Sequence, residues 1–366
     1  VHVHFRFPGQ THKEDIKTGT SSAINGGYTT VIMMPNTTPV IDNEKTLELV
    51  KQESRLSPIN IKTYVANTLG QKGQVNINYE KFINDDFVAG FSDDGHGIIS
   101  DEIMEKVISE SAKHNFIIAA HLQDDSHEDP SYVMNKSKKS EELGLVGCSS
   151  AVEYIQAQRD MKLIEKYPKA KYHMCHISTK ETLEVAKQAK QKGLNISCEV
   201  APHHLLLTDD NIPANEGLWK MNPPLRSKED NLALIQGLNS GILEVIATDH
   251  APHSKEEKSK GFNSPFGIIG LDHCFSTLYT YLVKTEKVKL ETIIEAMSVA
   301  PNKIYGLEDP TIKVGSYANL NIINLQESFI LDENFIKSKS KNTPFINQEL
   351  FGKITHVFYK GKNLKG

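Results

Sequence analysis

Eight short apolar runs, most of them separated by helix-like stretches, constrain the fold of this chain more than any other feature. The runs are rich in β-branched residues, as buried strands are. They are VHVHF at residue 1, YTTVIMM at 28, IKTYVA at 61, FVAGF at 87, FIIAA at 116, YHMCHI at 172, ISCEV at 196 and LEVIAT at 243. Strands that alternate with helices predict parallel βαβ units, and eight nearly continuous apolar strands predict an α/β fold, a closed (β/α)8 barrel of TIM type. An open doubly wound sheet is the alternative, but no GxGxxG motif follows an early strand.

Helix signals lie between several of these runs. Residues 100–114 and 178–193 have the composition of amphipathic helices. In the second, Ser178 is expected to be the N-cap, with Glu181 three residues later and Gly193 at the end. The charged stretch 253–267 is too polar for a core. It is predicted to be a mobile loop after the eighth strand, with a lid as its functional role.

The sequence pattern changes from about Val314. The segments VGSYANLNIINL and ITHVFYKGKNL read as antiparallel strands with little helix between them. The sequence therefore predicts a barrel over residues 1–310 and a small C-terminal β segment over 311–366. Such a segment needs partner strands to form a stable sheet.

Side chains that bind metal ions lie at the carboxyl ends of the predicted strands, where barrel enzymes place their active sites. His2 and His4 are two residues apart on the first strand, so both point to the same face. The fifth and sixth strands end in His121 and His176, and the eighth ends in Asp249. The fourth ends in FSDDG, which offers two aspartates. Together these residues predict a metal site inside the barrel mouth.

The ligand set contains histidine and carboxylate but no cysteine. That composition suits Zn²⁺, and also Mn²⁺, Fe²⁺ or Co²⁺. Four histidines and two carboxylates exceed what one catalytic ion needs, so two ions bridged by a carboxylate and a hydroxide are expected. Metal binding lowers the pKa of a bound water to roughly 7. Asp249, beside that water, is expected to move its proton to a leaving nitrogen.

Bulk composition excludes several other classes. The net charge is −5 with Lys and Arg spread along the chain, which argues against a nucleic-acid surface. No apolar run reaches the ~20 residues of a membrane helix. The cysteines form no CxxC pair and are expected to be buried free thiols in a reducing compartment, here the cytoplasm. They are Cys148, Cys175, Cys198 and Cys274.

A set of longer motifs carries a family resemblance. They are HVHFRFPGQTHKED, GGYTTVIMMPNTTPV, FSDDGHG, CHISTKE, EVAPHHLLLT, KMNPPLR and ATDHAPH. Together and in this order they resemble the bacterial class I dihydroorotases of the amidohydrolase superfamily. The motifs run from residue 2 to about 270. The resemblance implies the reversible cyclisation of N-carbamoyl-L-aspartate to L-dihydroorotate, a step of pyrimidine (UMP) biosynthesis.

The resemblance also implies roles for the metal-binding residues. His2, His4 and Asp249 would hold one zinc ion, and His121 and His176 would hold the second. Asp94, rather than its neighbour in DDG, would bridge them. A metal-activated hydroxide would attack the ring amide carbonyl, with Asp249 as the general acid and base. Related cyclic amidases bridge the ions with a carboxylated lysine, but no lysine ends the fourth strand here.

The substrate carboxylate needs a cationic partner. Arg6 has the fork geometry for bidentate contact with a carboxylate. The resemblance places Asn36 and His253 beside Arg6. It places Asn222 at the edge of the pyrimidine ring, with help from backbone groups of Pro265 and Gly267.

Two other functions remain open at this stage. One is another cyclic amidase, similar to hydantoinase, dihydropyrimidinase or allantoinase. The other is a non-catalytic dihydroorotase-like scaffold for aspartate transcarbamoylase, which would lack metal ligands. The resemblance further implies a homodimer and possible association with aspartate transcarbamoylase. Similar enzymes carry a segment before the first strand that pairs with the C-terminal strands. We therefore expect the tail from Val314 to lack partner strands, and His2 and His4 to lie on a frayed end.

Overall fold

The computed structural model describes residues 1–126, 128–309 and 311–366. Its strands, in chain order, are β1 (Thr30–Met33), β2 (Asn60–Val65), β3 (Val88–Phe91), β4 (Ile117–Ala120), β5 (Met134–Asn135), β6 (Gly147–Cys148), β7 (Lys171–Met174), β8 (Ile196–Val200), β9 (Val245–Ile246), β10 (Leu320–Ile330), β11 (Glu349–Tyr359) and β12 (Lys362–Lys365). A parallel sheet in the order β1-β2-β3-β4-β7-β8-β9 forms the centre of the molecule.

Val3 joins the two edges of this sheet. It forms one parallel bridge with Met33 on β1 and another with His250, just after β9. The bridges are hydrogen-bonded, with Met34 N donating to Val3 O (2.9 Å) and His4 N donating to His250 O (2.8 Å). The predicted barrel is confirmed, but its first strand is shorter than expected, since regular pairing is confined to Val3. The segment is nonetheless buried, including both histidines.

Helices cover the outside of the sheet and bury its apolar face. They are α1 (Ile16–Asn25), α2 (Glu44–Ser54), α3 (Asp101–His114), α4 (Lys138–Leu143), α5 (Ala151–Ile164), α6 (Lys180–Gln191), α7 (Pro202–Leu206), α8 (Lys228–Asn239), α9 (Lys255–Lys258), α10 (Cys274–Leu278), α11 (Leu290–Ile294) and α12 (Ala300–Tyr305). Helices α10 and α11 continue as π-helical turns over Tyr279–Val283 and Glu295–Val299.

The two predicted helices are present, and one begins a residue later than expected. Ser100 caps α3 as its N-cap. The N-cap of α6 is Thr179, whose side chain accepts from Thr182 N, and not Ser178. The buried carboxylate of Glu153 on α5 accepts hydrogen bonds from Ser178 N (3.0 Å) and the Ser178 hydroxyl, and also from Thr179 N (3.2 Å) and Thr179 Oγ1 (3.1 Å). Of these two hydroxyls, that of Thr179 also accepts from Thr182 N (3.2 Å) and so caps the helix.

The C-terminal strands pair with one another. β10 is antiparallel to β11, and β11 is antiparallel to β12. The expectation that this tail lacks partner strands is therefore wrong, because the two segments read as strands supply each other's partners. The boundary expected between residues 310 and 311 falls on Pro310, which lies outside the described residues. Residues 331–348 leave the sheet between β10 and β11, and Leu331, Ile336 and Phe345 pack into an apolar cluster with barrel residues.

Two smaller expectations can be compared with the structure. The four cysteines are free and buried, as predicted. Stretch 253–267 contains α9 and a 3-10 turn over Gly261–Asn263, with Lys258 and Phe262 buried, and its mobility and role as a lid stay predictions. Among the described residues, no helix has the length and apolarity needed to cross a membrane.

Candidate metal centre and substrate pocket

Asp94 lies among four imidazoles at the carboxyl ends of the strands. Its Oδ1 is 3.4 Å from His2 Nε2, 3.3 Å from His176 Nε2 and 3.5 Å from His121 Nδ1. Its Oδ2 is 3.4 Å from His4 Nε2. All five side chains are buried. One carboxylate thus faces His2 and His4 as the first pair of histidines and His121 and His176 as the second pair. This is the position that a bridging ligand would need.

In the described part of the chain, the histidines that Asp249 contacts are His2 and His4, the first pair. Its Oδ1 lies 2.9 Å from His4 Nε2 and 3.4 Å from His2 Nε2. Three groups have ligand atoms that all lie within 4.8 Å of one another, and each contains His2: His2 with His4 and Asp249, His2 with Asp94 and His176, and His2 with Cys175 and Glu199. The structure therefore brings together all six residues that the sequence proposed as ligands.

The two aspartates of DDG have different surroundings. Asp93 turns away from the imidazoles and accepts hydrogen bonds from Asn67 N (2.7 Å), Thr68 N (3.1 Å) and the Thr68 hydroxyl. It holds the loop after β2, while Asp94 faces the imidazoles. This difference agrees with the choice of Asp94 made from the family motifs.

The strand ends explain why these residues meet. Asp94, His121, His176 and Asp249 follow β3, β4, β7 and β9, whose carboxyl ends share one rim of the parallel sheet. His176 and Asp249 have positive φ angles of 31° and 46°. Non-glycine residues rarely adopt such angles, and those that do cluster at functional sites. The backbone there is bent so that both side chains face the barrel axis.

Hydrogen bonds fix the tautomers of three of the imidazoles. The Nδ1 of His2 lies 2.6 Å from Glu199 Oε1, and the Nδ1 of His4 lies 2.9 Å from Asn36 Oδ1. Both partners are acceptors, so each Nδ1 carries the proton and each Nε2 offers a lone pair to the centre. His121 is reversed, since its Nε2 donates to Gln123 Oε1 (2.7 Å) and its Nδ1 faces Asp94. These are the arrangements that metal-ligating histidines show.

The charge balance of the centre also fits a cation. Asp94, Asp249 and Glu199 place three buried carboxylates around the imidazoles. Burial would lower the pKa of His2, but Asp94, Glu199 and Asp249 outweigh it and raise the pKa well above its ordinary value. The Nε2 of His2 is buried without a hydrogen-bond partner among the described residues. A divalent cation would occupy this lone pair and offset the carboxylates, so the donor set fits a metal ion.

The two predicted substrate-binding asparagines lie beside the metal centre. Asn36 accepts from His4, as described, and its Nδ2 donates to Asp94 O (3.3 Å). Asn222 Nδ2 donates to Gln123 Oε1 (2.8 Å) and lies 3.2 Å from His121 Nε2. Both side chains therefore contact groups that orient ligands, and their contact with substrate stays a prediction.

Arg6 and His253 form a cationic wall next to the centre. Arg6 Nε donates to Pro252 O (3.2 Å), and one of its terminal nitrogens lies 3.2 Å from His253 Nε2. Burial lowers the pKa of Arg6 to about 10, so the guanidinium remains charged at neutral pH. Burial, followed by the nearby charge of Arg6, lowers the pKa of His253 and keeps its ring neutral. Lys13 Nζ lies 3.4 Å from His253 Nδ1.

The backbone groups of Pro265 and Gly267 are engaged within the protein. Pro265 O accepts from Lys258 Nζ (2.9 Å), and Gly267 N donates to Lys220 O (3.0 Å). Gly267 has φ 147°, and a Cβ there would lie 2.8 Å from both Ala251 O and a ring carbon of His253. Glycine thus lets this loop pack directly on His253, and the predicted contact of the loop with substrate stays a prediction.

Sequence reasoning missed the residues that hold the imidazoles in place. Glu199 on β8 contacts His2, accepts from His176 N (3.2 Å), and lies 3.1 Å from His173 Nε2. A signal was present, since His173 and Glu199 are ionisable residues inside otherwise apolar strands. Their partners are distant in the sequence, however, so the pattern shows a buried polar residue and not what it binds.

Comparison with known families matches nearly the whole chain. A family model described as "Amidohydrolase family" matches residues 1–364. A dihydroorotase of Lactobacillus acidophilus is 42% identical over 366 residues, which cover 99% of this chain and 85% of that protein. A dihydroorotase of Staphylococcus epidermidis is 41% identical over 365 residues, with the same coverage of each chain.

Solved structures share the fold at lower identity. An L-hydantoinase from Arthrobacter aurescens superposes with a TM-score of 0.87 at 21% identity, covering 100% of this chain and 83% of that one. A D-hydantoinase from Thermus sp. gives a TM-score of 0.81 at 23% identity, with the same coverage. These similarities support the barrel and its small β-sheet.

Glu199 gives a prediction about metal affinity. Replacing it with glutamine removes the charge that holds the His2 tautomer, and such outer partners are typically worth about 10–100-fold in metal affinity. We expect Glu199→Gln to weaken Zn²⁺ binding by that factor, measured by competition with a chromogenic chelator. Glu184→Gln, on an exposed part of α6, is the control and should bind as the wild type does. Unchanged affinity in Glu199→Gln would contradict the assigned role.

Proposed function

The chain belongs to the amidohydrolase family and, within it, to the dihydroorotases, and from this premise we propose how its residues perform the reaction. The activity is the reversible hydrolysis of L-dihydroorotate to N-carbamoyl-L-aspartate. The observation that carries the mechanism is the position of Asp94 among four imidazoles, with Asp249 against one pair of them. This arrangement retains every ligand, which argues against a non-catalytic scaffold.

We propose zinc as the ion, one or two per subunit. His2, His4 and Asp249 would hold one ion, His121 and His176 the other, and Asp94 would touch both. When bound, such an ion polarises a carbonyl and lowers the pKa of water to roughly 7. The His and carboxylate donors suit zinc, and the absence of cysteine among the six proposed ligands is typical of catalytic rather than structural zinc sites.

Asp249 is proposed to move the proton. Burial would raise the pKa of this carboxyl, but the imidazoles of His2 and His4 outweigh it and lower the pKa well below its ordinary value. An ionised carboxylate can accept a proton from the attacking water and deliver it to the ring nitrogen as the amide bond breaks. In ring closure the same oxygen accepts the proton from the carbamoyl nitrogen.

Arg6 is proposed to bind the carboxylate that dihydroorotate carries in addition to its ring. The guanidinium is buried and charged, and the neutral ring of His253 stands beside it. Asn36, Asn222, Pro265 and Gly267 complete the proposed pocket. A neutral cyclic amide would leave this buried cation without a counter-ion, which disfavours hydantoin-like substrates.

The homodimer, the association with aspartate transcarbamoylase and the cytoplasmic location stay predictions. Each follows from the family resemblance or from composition. Size-exclusion chromatography with light scattering, alone and with added aspartate transcarbamoylase, tests the first two.

A substrate and chelator assay tests the function. We expect the purified protein to hydrolyse dihydroorotate, to lose this activity when a chelator removes the metal, and to regain it with Zn²⁺. Hydantoin, allantoin and dihydrouracil should be turned over far more slowly. Turnover of hydantoin or allantoin without dihydroorotate would favour another cyclic amidase, and a metal-free inactive protein would favour a scaffold.

Asp249→Asn tests the proton transfer. The substitution keeps the size of the side chain but removes its basicity, so kcat should fall by about 10²–10⁴-fold, the usual contribution of a positioned acid or base. Circular dichroism should show an unchanged fold, and metal content should be measured because Asp249 is also a proposed ligand. Asp210→Asn at an exposed position is the control. Near-full activity of Asp249→Asn with bound metal would refute the role.

Arg6→Met tests recognition of the carboxylate. Losing one partner of a buried charge pair costs ~2–5 kcal/mol, so kcat/KM for dihydroorotate should fall by about 10²-fold or more. Arg6→Lys retains the charge but not the fork and should give a smaller loss. Turnover of dihydrouracil, which lacks the carboxylate, should not fall in parallel. Arg55→Met, on the exposed end of α2, is the control. Equal losses on both substrates would place Arg6 in the structure rather than in recognition.

A further inference from the structure

A buried segment of the C-terminal region lies against the loops of the substrate pocket. We call residues 336–343 the strap. Ser338, Ser340 and Asn342 on the strap are polar, yet each is no more than 5% exposed. Ser340 Oγ donates to Lys13 O (2.8 Å), and the Ser338 hydroxyl donates to the buried carboxylate of Glu14. The strap is thus bonded to the barrel beside the pocket, although in sequence it lies between β10 and β11.

Asn342 connects the two loops that form one side of the pocket. Its Nδ2 donates to Ala251 O (3.0 Å) and to Gly267 O (3.1 Å), and its Oδ1 accepts from His253 N (3.1 Å). Its own carbonyl accepts from Ile269 N (3.1 Å). A single side chain therefore spans the segment after β9 and the loop after α9.

The loops that Asn342 spans are in contact with each other at His253. The ring Nε2 of His253 donates to Phe266 O (2.8 Å), and the space at Gly267 is closed by Ala251 and by the His253 ring. In the described part of the chain, side-chain hydrogen bonds to the backbone of Ala251, His253 and Gly267 come from Asn342 alone. The two segments are also joined by a backbone hydrogen bond from Ala251 N to Ile268 O (2.8 Å), and Asn342 adds the side-chain bonds that fix Ala251, His253 and Gly267 relative to one another.

We propose that Asn342 is a positioning residue for recognition of the substrate carboxylate. It acts through His253 and Gly267 and does not itself touch the substrate. The proposal rests on the proposed function, since it assigns the carboxylate to the wall formed by Arg6 and His253. In this proposal the strap determines the affinity for substrate, and the proposed metal ligands at the strand ends determine the rate of the chemical step.

Asn342→Asp is the sharpest variant because it changes one group and keeps the shape. The new carboxylate oxygen faces Ala251 O and Gly267 O, so two buried carbonyls lose their donor and meet a negative charge. KM for dihydroorotate should rise about tenfold or more, since lost positioning weakens binding of substrate and transition state alike. The kcat should stay within about threefold, and the metal content should not change.

Thr343→Val is the matched control. Thr343 is the next residue of the strap, is fully buried, and its Oγ1 accepts from Phe345 N (3.3 Å) within the C-terminal region. The substitution perturbs the strap and leaves both pocket loops untouched. It should leave KM within about twofold of the wild type. A KM increase equal to that of Asn342→Asp would show that the loops respond to the strap in general, and would overturn the proposal.

Hydrogen exchange separates this proposal from the activity itself. Backbone amides in peptides covering 250–254 and 264–269 should exchange faster in Asn342→Asp than in the wild type or in Thr343→Val, measured by mass spectrometry without substrate. If the wild type does not hydrolyse dihydroorotate, the proposed function fails and the exchange comparison alone decides the positioning role. Unchanged exchange, or a fall in kcat and metal content together with the rise in KM, overturns it.

Asn342→Ser covers the case in which the aspartate variant does not fold. The hydroxyl is shorter and neutral, so the expected change has the same direction and a smaller size. If neither variant folds, Asn342 belongs to the stability of the barrel and the proposal is wrong.

Discussion

The pairing of Val3 with both edges of the parallel sheet is the interaction on which the active centre depends. Because side chains alternate along an extended segment, Val3 faces the helices when His2 and His4 face the barrel axis. The bridges to Met33 and His250 therefore close the sheet and also orient the imidazoles of His2 and His4 toward the barrel axis. The same bridges place the segment after β9 next to the first strand, so Asp249 meets His4.

The closed sheet brings several ionisable side chains together, and their burial has an electrostatic cost. Three carboxylates and several imidazoles lie together out of water, an arrangement that is costly without a compensating charge. The carboxylates raise the pKa of His2 against the effect of burial, and a metal ion bound there would offset the same negative charge. Glu199, Asn36 and Gln123 direct the open ring nitrogens toward the place that the ion would take. The positive φ angles of His176 and Asp249 indicate that the backbone tolerates strain to complete the set.

The sequence predicted the parts of the fold that depend on local patterns. Apolar runs predict the strands, and because the carboxyl ends of parallel strands share one rim, the sequence alone groups the proposed ligands. What it could not predict depends on partners far along the chain. Glu153 binds both Ser178 and Thr179, and the N-cap of α6 is Thr179. The prediction that the tail lacks partner strands is wrong because β10 and β11 pair with each other, a contact between segments separated by 18 residues that no local pattern marks. Asn342 lies in a stretch without periodicity, where no local pattern marks a residue that bonds to positions 251, 253 and 267.

The proposed metal ligands and most of the proposed substrate-binding residues lie on different parts of the fold, which is relevant to how one barrel fold can accept different cyclic amides. The hydantoinases share the fold at about one-fifth identity, so the closed sheet alone does not select the substrate. The proposed metal ligands stand in or just after the strands of the barrel, whereas Gly267 and His253 stand on loops. In this chain the C-terminal strap supports these loops through Asn342, while Arg6 comes from the first strand segment itself. The proposed carboxylate site therefore combines a loop bonded to the C-terminal strap with a cation fixed in the barrel, and we expect changes in the strap to alter substrate affinity without disturbing the proposed metal ligands.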